Sequence, residues 1–225
     1  VACGDIIESG IGRNDEREKE KEDMVMKLEE AERIGKEFLN ILSSYTPNAM
    51  IGGSIRRRKL EVKDIEIICQ PRISKIKDQS KLMGLKRWNQ LHSELNWLRD
   101  QHIIDSNRPR KNKAKSPFGE RTYLINYKGT PIDVFAIFEP ADWWTQVVIR
   151  TGSEKFNIWL VSTCKERAKV RFVAGHIVEL SPPDLPGIEK PIKPEFERDV
   201  FTICGIEYIE PENRGDNFMD YVKEL

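Results

Sequence analysis

The 225-residue sequence predicts an α+β fold, a mixed sheet flanked by helices and followed by a smaller α/β unit. Three features carry the prediction. Strand-like runs with period-two alternation occur at 64–70 and again at 122–135. Apolar residues fall at helical spacing before the first run and between the two, so helices and strands are interleaved. From about residue 154 the chain carries a helix, short strands and a further helix, and its length suits one or two small domains.

Composition narrows the class. The 37 basic and 37 acidic residues cancel, so any affinity for a polyanion depends on where the charges sit. With 39% hydrophobic and 33% charged residues the profile is that of a soluble globular chain. No apolar run is long enough to span a membrane, and the polar start has no signal-peptide core. Cys3, Cys69, Cys164 and Cys204 are widely scattered, with neither zinc spacing nor a disulfide framework. Reduced thiols are therefore expected, in a cytoplasmic or nucleus-like reducing compartment and not in a secreted protein.

The elements follow in order. Residues 1–23 are Gly-rich and then densely charged, which predicts a mobile N-terminal tail. Val25, Leu28, Phe38, Leu39 and Leu42 predict an amphipathic helix over Met24–Leu42, ended by Tyr45-Thr46-Pro47. After the first strand, Pro71 closes the run and a helix is expected over Asp78–Asp100, with Leu82, Leu85, Trp88, Leu91, Leu95 and Leu98 as its core stripe. His92 and His102 read as ordinary helix-face residues. Arg108, Arg110, Lys111, Lys113, Lys115 and Arg121 crowd a loop that is either solvated surface or a contact to a nucleic-acid backbone. Thr122–Tyr127, the Lys128-Gly129 turn and the strand bearing Asp133 predict a hairpin.

Pro140 and Asp142 open a helix containing Trp143 and Trp144. Ser153 is placed to cap a helix over Glu154–Lys169, whose N-terminus can face an anion. Short strands near Val170–Leu180, a Pro-rich loop over Ser181–Pro194 and a helix near Glu195–Cys204 complete the chain.

Chemistry concentrates in Ile51–Gln70. Asp64 and Glu66 alternate with Ile65 and Ile67, so both carboxylates share one strand face while the isoleucines face the core. Two acids held that close favour a cation between them, and oxygen ligands of this kind suit Mg²⁺. Gly52 and Gly53 allow close approach of an anion, Ser54 offers a hydroxyl, and Arg56, Arg57 and Arg58 offer charged donors. Asp133, flanked by Ile132, Val134 and Phe135, has the setting of a third ligand on a neighbouring strand. Taken singly, each feature also fits a solvated strand face or a surface turn.

Together, GGSIRRR, then DIE, then PIDVF resemble the palm of family X DNA polymerases, the DNA polymerase beta-like nucleotidyltransferases. Thr151-Gly152-Ser153 with Phe156-Asn157 resembles the run that opens the family's thumb. FERDVFTICGIEYIEPENR resembles its closing segment, so the likeness covers roughly residues 48–215.

The resemblance implies a minimal palm-plus-thumb form. Its division would be a tail at 1–23, a nucleotidyltransferase palm with its leading helix at 24–145, and a thumb at 146–225. The implied function is DNA-directed DNA polymerisation onto a primer 3′-hydroxyl, filling short gaps in DNA repair, with release of pyrophosphate. Asp64, Glu66 and Asp133 would be the catalytic ligands of two Mg²⁺ ions, with Mn²⁺ able to substitute. Gly53, Ser54, Arg57 and Lys63 would hold the triphosphate, and Gly152, Ser153, Glu154 and Asn157 the sugar and base side of the nucleotide. The partners implied are a primer-template or gapped DNA duplex and nucleoside triphosphates, bound by a monomer without a membrane.

The resemblance also implies a cis peptide between Gly152 and Ser153. The chain departs from the family in placing Ile149-Arg150 where an aromatic pair is usual, Val161 where the thumb helix often carries arginine, and Lys63 and Arg58 where glycines are common. Alternative expectations are a template-independent nucleotidyltransferase acting on RNA, DNA ends or another acceptor, and a non-catalytic protein that binds nucleic-acid ends.

Overall fold

A computed structural model describes residues 25–77, 84–106, 118–180 and 190–222. The expected tail, the basic loop residues Arg108, Arg110, Lys111, Lys113 and Lys115, and most of the Pro-rich loop lie outside the described residues.

The chain enters through β1 (Met26–Lys27) and α1 (Leu28–Leu42). Ala31, Ile34, Phe38 and Leu42 recur along one face of α1 and are buried, so the helix lies against the sheet along that stripe. The helix was expected from Met24, but Met26 and Lys27 pair with Val62 and Glu61 instead, and Val25 is exposed. Then come β2 (Asn48–Ile51), the one-turn helix α2 (Gly53–Arg56), β3 (Glu61–Val62) and β4 (Ile65–Gln70).

The expected long helix over Asp78–Asp100 is not what forms. Strands β5 (Ile73–Lys77) and β6 (Leu85–Asn89) pair antiparallel, and only α3 (Gln90–Asp100) is helical. Leu82 lies outside the described residues. Leu91, Leu95 and Leu98 are buried as expected, whereas Leu85 is 68% exposed and Trp88 41%. Asn89 is the reason for the boundary: its backbone is extended and its side chain accepts from the His92 backbone N–H at 3.1 Å, which caps the helix there. His92 packs its ring against Phe118 and Tyr123. His102 lies beyond the helix in a left-handed conformation, not on its face.

After β7 (Ile104–Asp105) and β8 (Phe118–Gly119), the predicted hairpin forms as β9 (Thr122–Tyr127) and β10 (Thr130–Ala136). The main sheet has the order β2-β4-β10-β9-β7, with β8 on β9. Strand β10 runs parallel to β4, and the other described pairs are antiparallel. Helices α1 and α3 cover one face, where Phe38, Leu42, Leu91 and Leu95 meet Ile65, Ile67, Ile125, Ile132 and Val134. The other face is partly covered by α4 (Trp143–Thr151), through Ile68, Ile137 and Val147.

A second core forms between α5 (Glu154–Arg167), the sheet of β11 (Val170–Val173), β12 (His176–Glu179) and β13 (Pro191–Ile192), and α6 (Glu197–Ile203). Phe156, Leu160, Ile177, Val200, Phe201 and Phe218 are buried in it. Here the cysteine expectation fails: Cys164 of α5 and Cys204 just after α6 form a disulfide across 40 residues of chain. Wide spacing in sequence did not suggest the pair, because packing of α5 on α6 is what brings the two sulfurs together. Cys69 remains a buried free thiol, pushed up to about 12 by its apolar surroundings.

Candidate active site

The acids are placed by strand register. Asp133 of β10 lies directly beside Glu66 of the parallel β4, and side chains alternate along both strands. Ile65, Ile67, Ile132 and Val134 therefore point into the main core, while Glu66 and Asp133 share the opposite face. Asp64 immediately precedes β4. All three are electrostatic neighbours. Burial and then Asp64 push the Glu66 carboxyl up to about 7, Asp133 adds to this, and Arg150 and Arg57 oppose it.

The turn before β4 is built against this carboxylate. Gly52 donates its N–H to the Glu66 carbonyl at 2.8 Å. Gly53 adopts a φ of +58°, and a Cβ there would lie 2.6 Å from Glu66 Oε2. The left-handed φ favours glycine at 53, and a side chain there would push the Glu66 carboxylate aside. The following turn of helix presents Ser54 and Arg57 toward a cleft of about 610 Å³ that Lys59, Lys63 and Asp64 also line. Ser54 Oγ and Arg57 Nε are buried there with no hydrogen-bond partner. Unpaired donors on residues that line a cleft beside a basic turn are what an anionic ligand would satisfy.

The three arginines, which looked equivalent in sequence, have different sets of partners. Arg58 pairs with Glu32 of α1 at 2.7 Å. Arg57 donates to the Thr151 carbonyl, and burial pulls its guanidinium down while Glu66, Asp216 and Asp64 hold it up. Arg56 donates to Thr151 Oγ1 at 2.7 Å and to both oxygens of Glu197. Arg214, fully buried, donates to the same Glu197 at 2.6 Å and lies against Phe201 and Tyr208. Glu197 is thus missed by the sequence reading, since an acid in a surface-like FERD run gives no sign of two arginine partners.

Thr151 leads into the second group of expected residues. Ser153 caps α5 as anticipated, accepting from the Phe156 N–H at 3.2 Å. Asn157 donates to the carbonyls of Ile149 and Gly152, and its Oδ1 is a buried acceptor without a partner. A Cβ on Gly152 would lie 2.3 Å from Phe156 and 2.5 Å from Asn157 Oδ1, so the close approach again requires glycine. Glu154 is exposed at the first turn of α5. Among the described residues no peptide is cis, so the Gly152–Ser153 expectation is not met. The Arg121 carbonyl accepts from the Ala136 N–H, and its guanidinium lies over Phe138.

Residues 146–215 match the family DNA polymerase beta thumb. Among solved structures, the chain is similar to Leishmania infantum polymerase beta in a ternary P/T complex, with a TM-score of 0.60 and 17% identity over 88% of this chain and 79% of that one. At that identity the likeness is one of fold. No curated protein matches the chain significantly. The chain thus carries a segment, 146–215, that matches the polymerase beta thumb, within a fold similar to that of polymerase beta. Its mixed sheet with flanking helices, followed by a thumb, has the polymerase beta fold.

Within this polymerase beta-like fold, the donor set of Asp64, Glu66 and Asp133 is all carboxylate oxygen, the chemistry that hard divalent cations favour. As they stand, no three His, Cys, Asp or Glu side chains among the described residues are drawn tightly enough together to hold an ion. The pressure on Glu66 nonetheless fits a cation, because burial beside two other acids is relieved by positive charge.

Proposed function

We propose that the protein is a DNA-directed nucleotidyltransferase that extends a primer 3′-hydroxyl with nucleoside triphosphates and fills short gaps. The observation that carries this reading is the placement of Asp133 beside Glu66, next to the cleft lined by Ser54, Arg57 and Asp64. Its polymerase beta-like fold and thumb supply the context.

Asp64, Glu66 and Asp133 would hold two divalent ions, Mg²⁺ or Mn²⁺, which when bound make the 3′-hydroxyl more acidic and neutralise charge on the triphosphate. Ser54 and Arg57 donate to phosphate oxygens from the α2 turn, with Gly53 leaving room for backbone approach and Lys63 adding charge at the rim. Gly152, Ser153, Glu154 and Asn157 border the nucleotide from the start of α5, where the free Oδ1 of Asn157 accepts a hydrogen bond from the ligand. Thr151, held by Arg56 and Arg57, keeps this wall in register with the phosphate turn.

The test is extension of a labelled primer on a one-nucleotide gap with Mg²⁺ or Mn²⁺. Wild type adds the nucleotide complementary to the template, and Asp133→Asn adds none. A well-folded wild type that binds the duplex and triphosphate without extending the primer refutes the reading. Addition that ignores the template base assigns the same site to a template-independent transferase.

A further inference from the structure

Arg150 has no role in that scheme, yet it stands over the acidic face. It is the penultimate residue of α4, the helix that covers the second face of the sheet. Its guanidinium lies 3.8 Å from the centroid of the Phe135 ring. Phe135 is two residues beyond Asp133 on β10 and so points to the same side, about 7 Å along the strand. Asp133 is in turn the neighbour of Glu66. The stack therefore puts a positive charge on the face that carries both acids, where it acts electrostatically on each.

Two further facts fit. Arg150 Nε is buried without a hydrogen-bond partner, so burial of the guanidinium is balanced through charge and ring contact. The Arg150 charge is the leading opposing influence on the Glu66 carboxyl, and Glu66 and Asp133 in turn support the buried guanidinium.

We propose that Arg150 is a resident counter-cation of the Glu66–Asp133 pair, which a divalent ion entering between those acids must displace or repel. This rests on the carboxylates being the cation site of the reading above. Arg150 precedes Thr151, the residue gripped by Arg56 and Arg57, and its own carbonyl abuts Gly52. Cation entry is consequently coupled to the junction between the phosphate turn and α5.

Mn²⁺ binding to the full chain without nucleotide, followed by electron paramagnetic resonance, tests the inference. Arg150→Met and Arg150→Gln are expected to bind Mn²⁺ roughly tenfold more tightly than wild type, the order of effect of removing one nearby unit charge that repels a divalent ion. Unchanged or weaker binding in either variant, with native circular dichroism, overturns it. Should both variants unfold, Phe135→Leu removes the ring beneath Arg150 and leaves every charge in place. Tighter Mn²⁺ binding then supports the inference, and unchanged or weaker binding overturns it. Asp133→Asn separates the two ideas: if it binds Mn²⁺ as wild type does, the carboxylate site itself is wrong. If it loses binding while the Arg150 variants gain none, only the role of Arg150 falls.

Discussion

Two nitrogens of Arg56 meet the two carboxylate oxygens of Glu197, at 2.7 and 2.6 Å, although 141 residues separate them in the chain. The pair joins the phosphate turn to α6 and is mostly buried, with the side chains 18% and 11% exposed. Arg214 completes it from the other side of Glu197 with no exposure at all.

Removing the acid leaves two arginines facing each other without a counter-charge. Glu197→Gln is expected to destabilise the protein by about 3–5 kcal/mol, the range for breaking one partner of a buried pair. Arg56→Met should cost less, because Arg214 still satisfies Glu197. Urea unfolding of both single variants and the double variant measures the coupling directly. A coupling near zero contradicts the network.

The same carboxyl sets a pH dependence. Burial raises the Glu197 carboxyl, but Arg56 and Arg214 outweigh it and hold the group below its usual 4.5. A group with a lowered folded-state pKa contributes stability that is complete above the unfolded value and lost as pH falls through the folded one. The stability gap between wild type and Glu197→Gln should be constant at neutral pH and shrink progressively below about 4.5. A gap that widens on acidification would exclude this assignment.

Gly53 bears two constraints at once, a left-handed backbone and contact with Glu66 Oε2. Gly53→Ala should cost about 1–2 kcal/mol from the backbone alone and push the Glu66 carboxylate off the turn. Primer extension is expected to fall far more than stability does. Thermal melting run beside the extension assay distinguishes a displaced carboxylate from a lost fold.

The Cys164–Cys204 disulfide closes 40 residues of chain inside the second core. Its loss should lower stability by about 4 kcal/mol on the loop-entropy account. Melting of the Cys164→Ala, Cys204→Ala double variant against wild type under non-reducing conditions measures this. Buried Cys69 should resist alkylation at neutral pH in the native protein and react once it is unfolded.

Much of the fold is legible locally. The alternation around Ile65 and Ile67 fixes a strand with one core face, and Lys128-Gly129 marks the hairpin turn. Ser153 announces the start of α5 because a cap is a short-range interaction. The apolar spacing through Leu85, Trp88 and Leu91 misleads, since three-residue spacing says nothing about where a helix begins. The Asn89 cap and the pairing of β5 with β6 decide that point.

Sequence alone determined which groups exist and which face of its strand or helix each occupies: the acids opposite the isoleucines, the glycine-rich turn ahead of them, the capped helix after Thr151. Only tertiary structure decided which charges meet. It set Asp133 beside Glu66, gave three adjacent arginines different sets of partners, put Arg150 over the acidic face and joined Cys164 to Cys204. Strand and helix periodicity are properties of neighbouring residues. The pairing of charges and sulfurs across the chain depends instead on how whole elements pack, which no local pattern encodes.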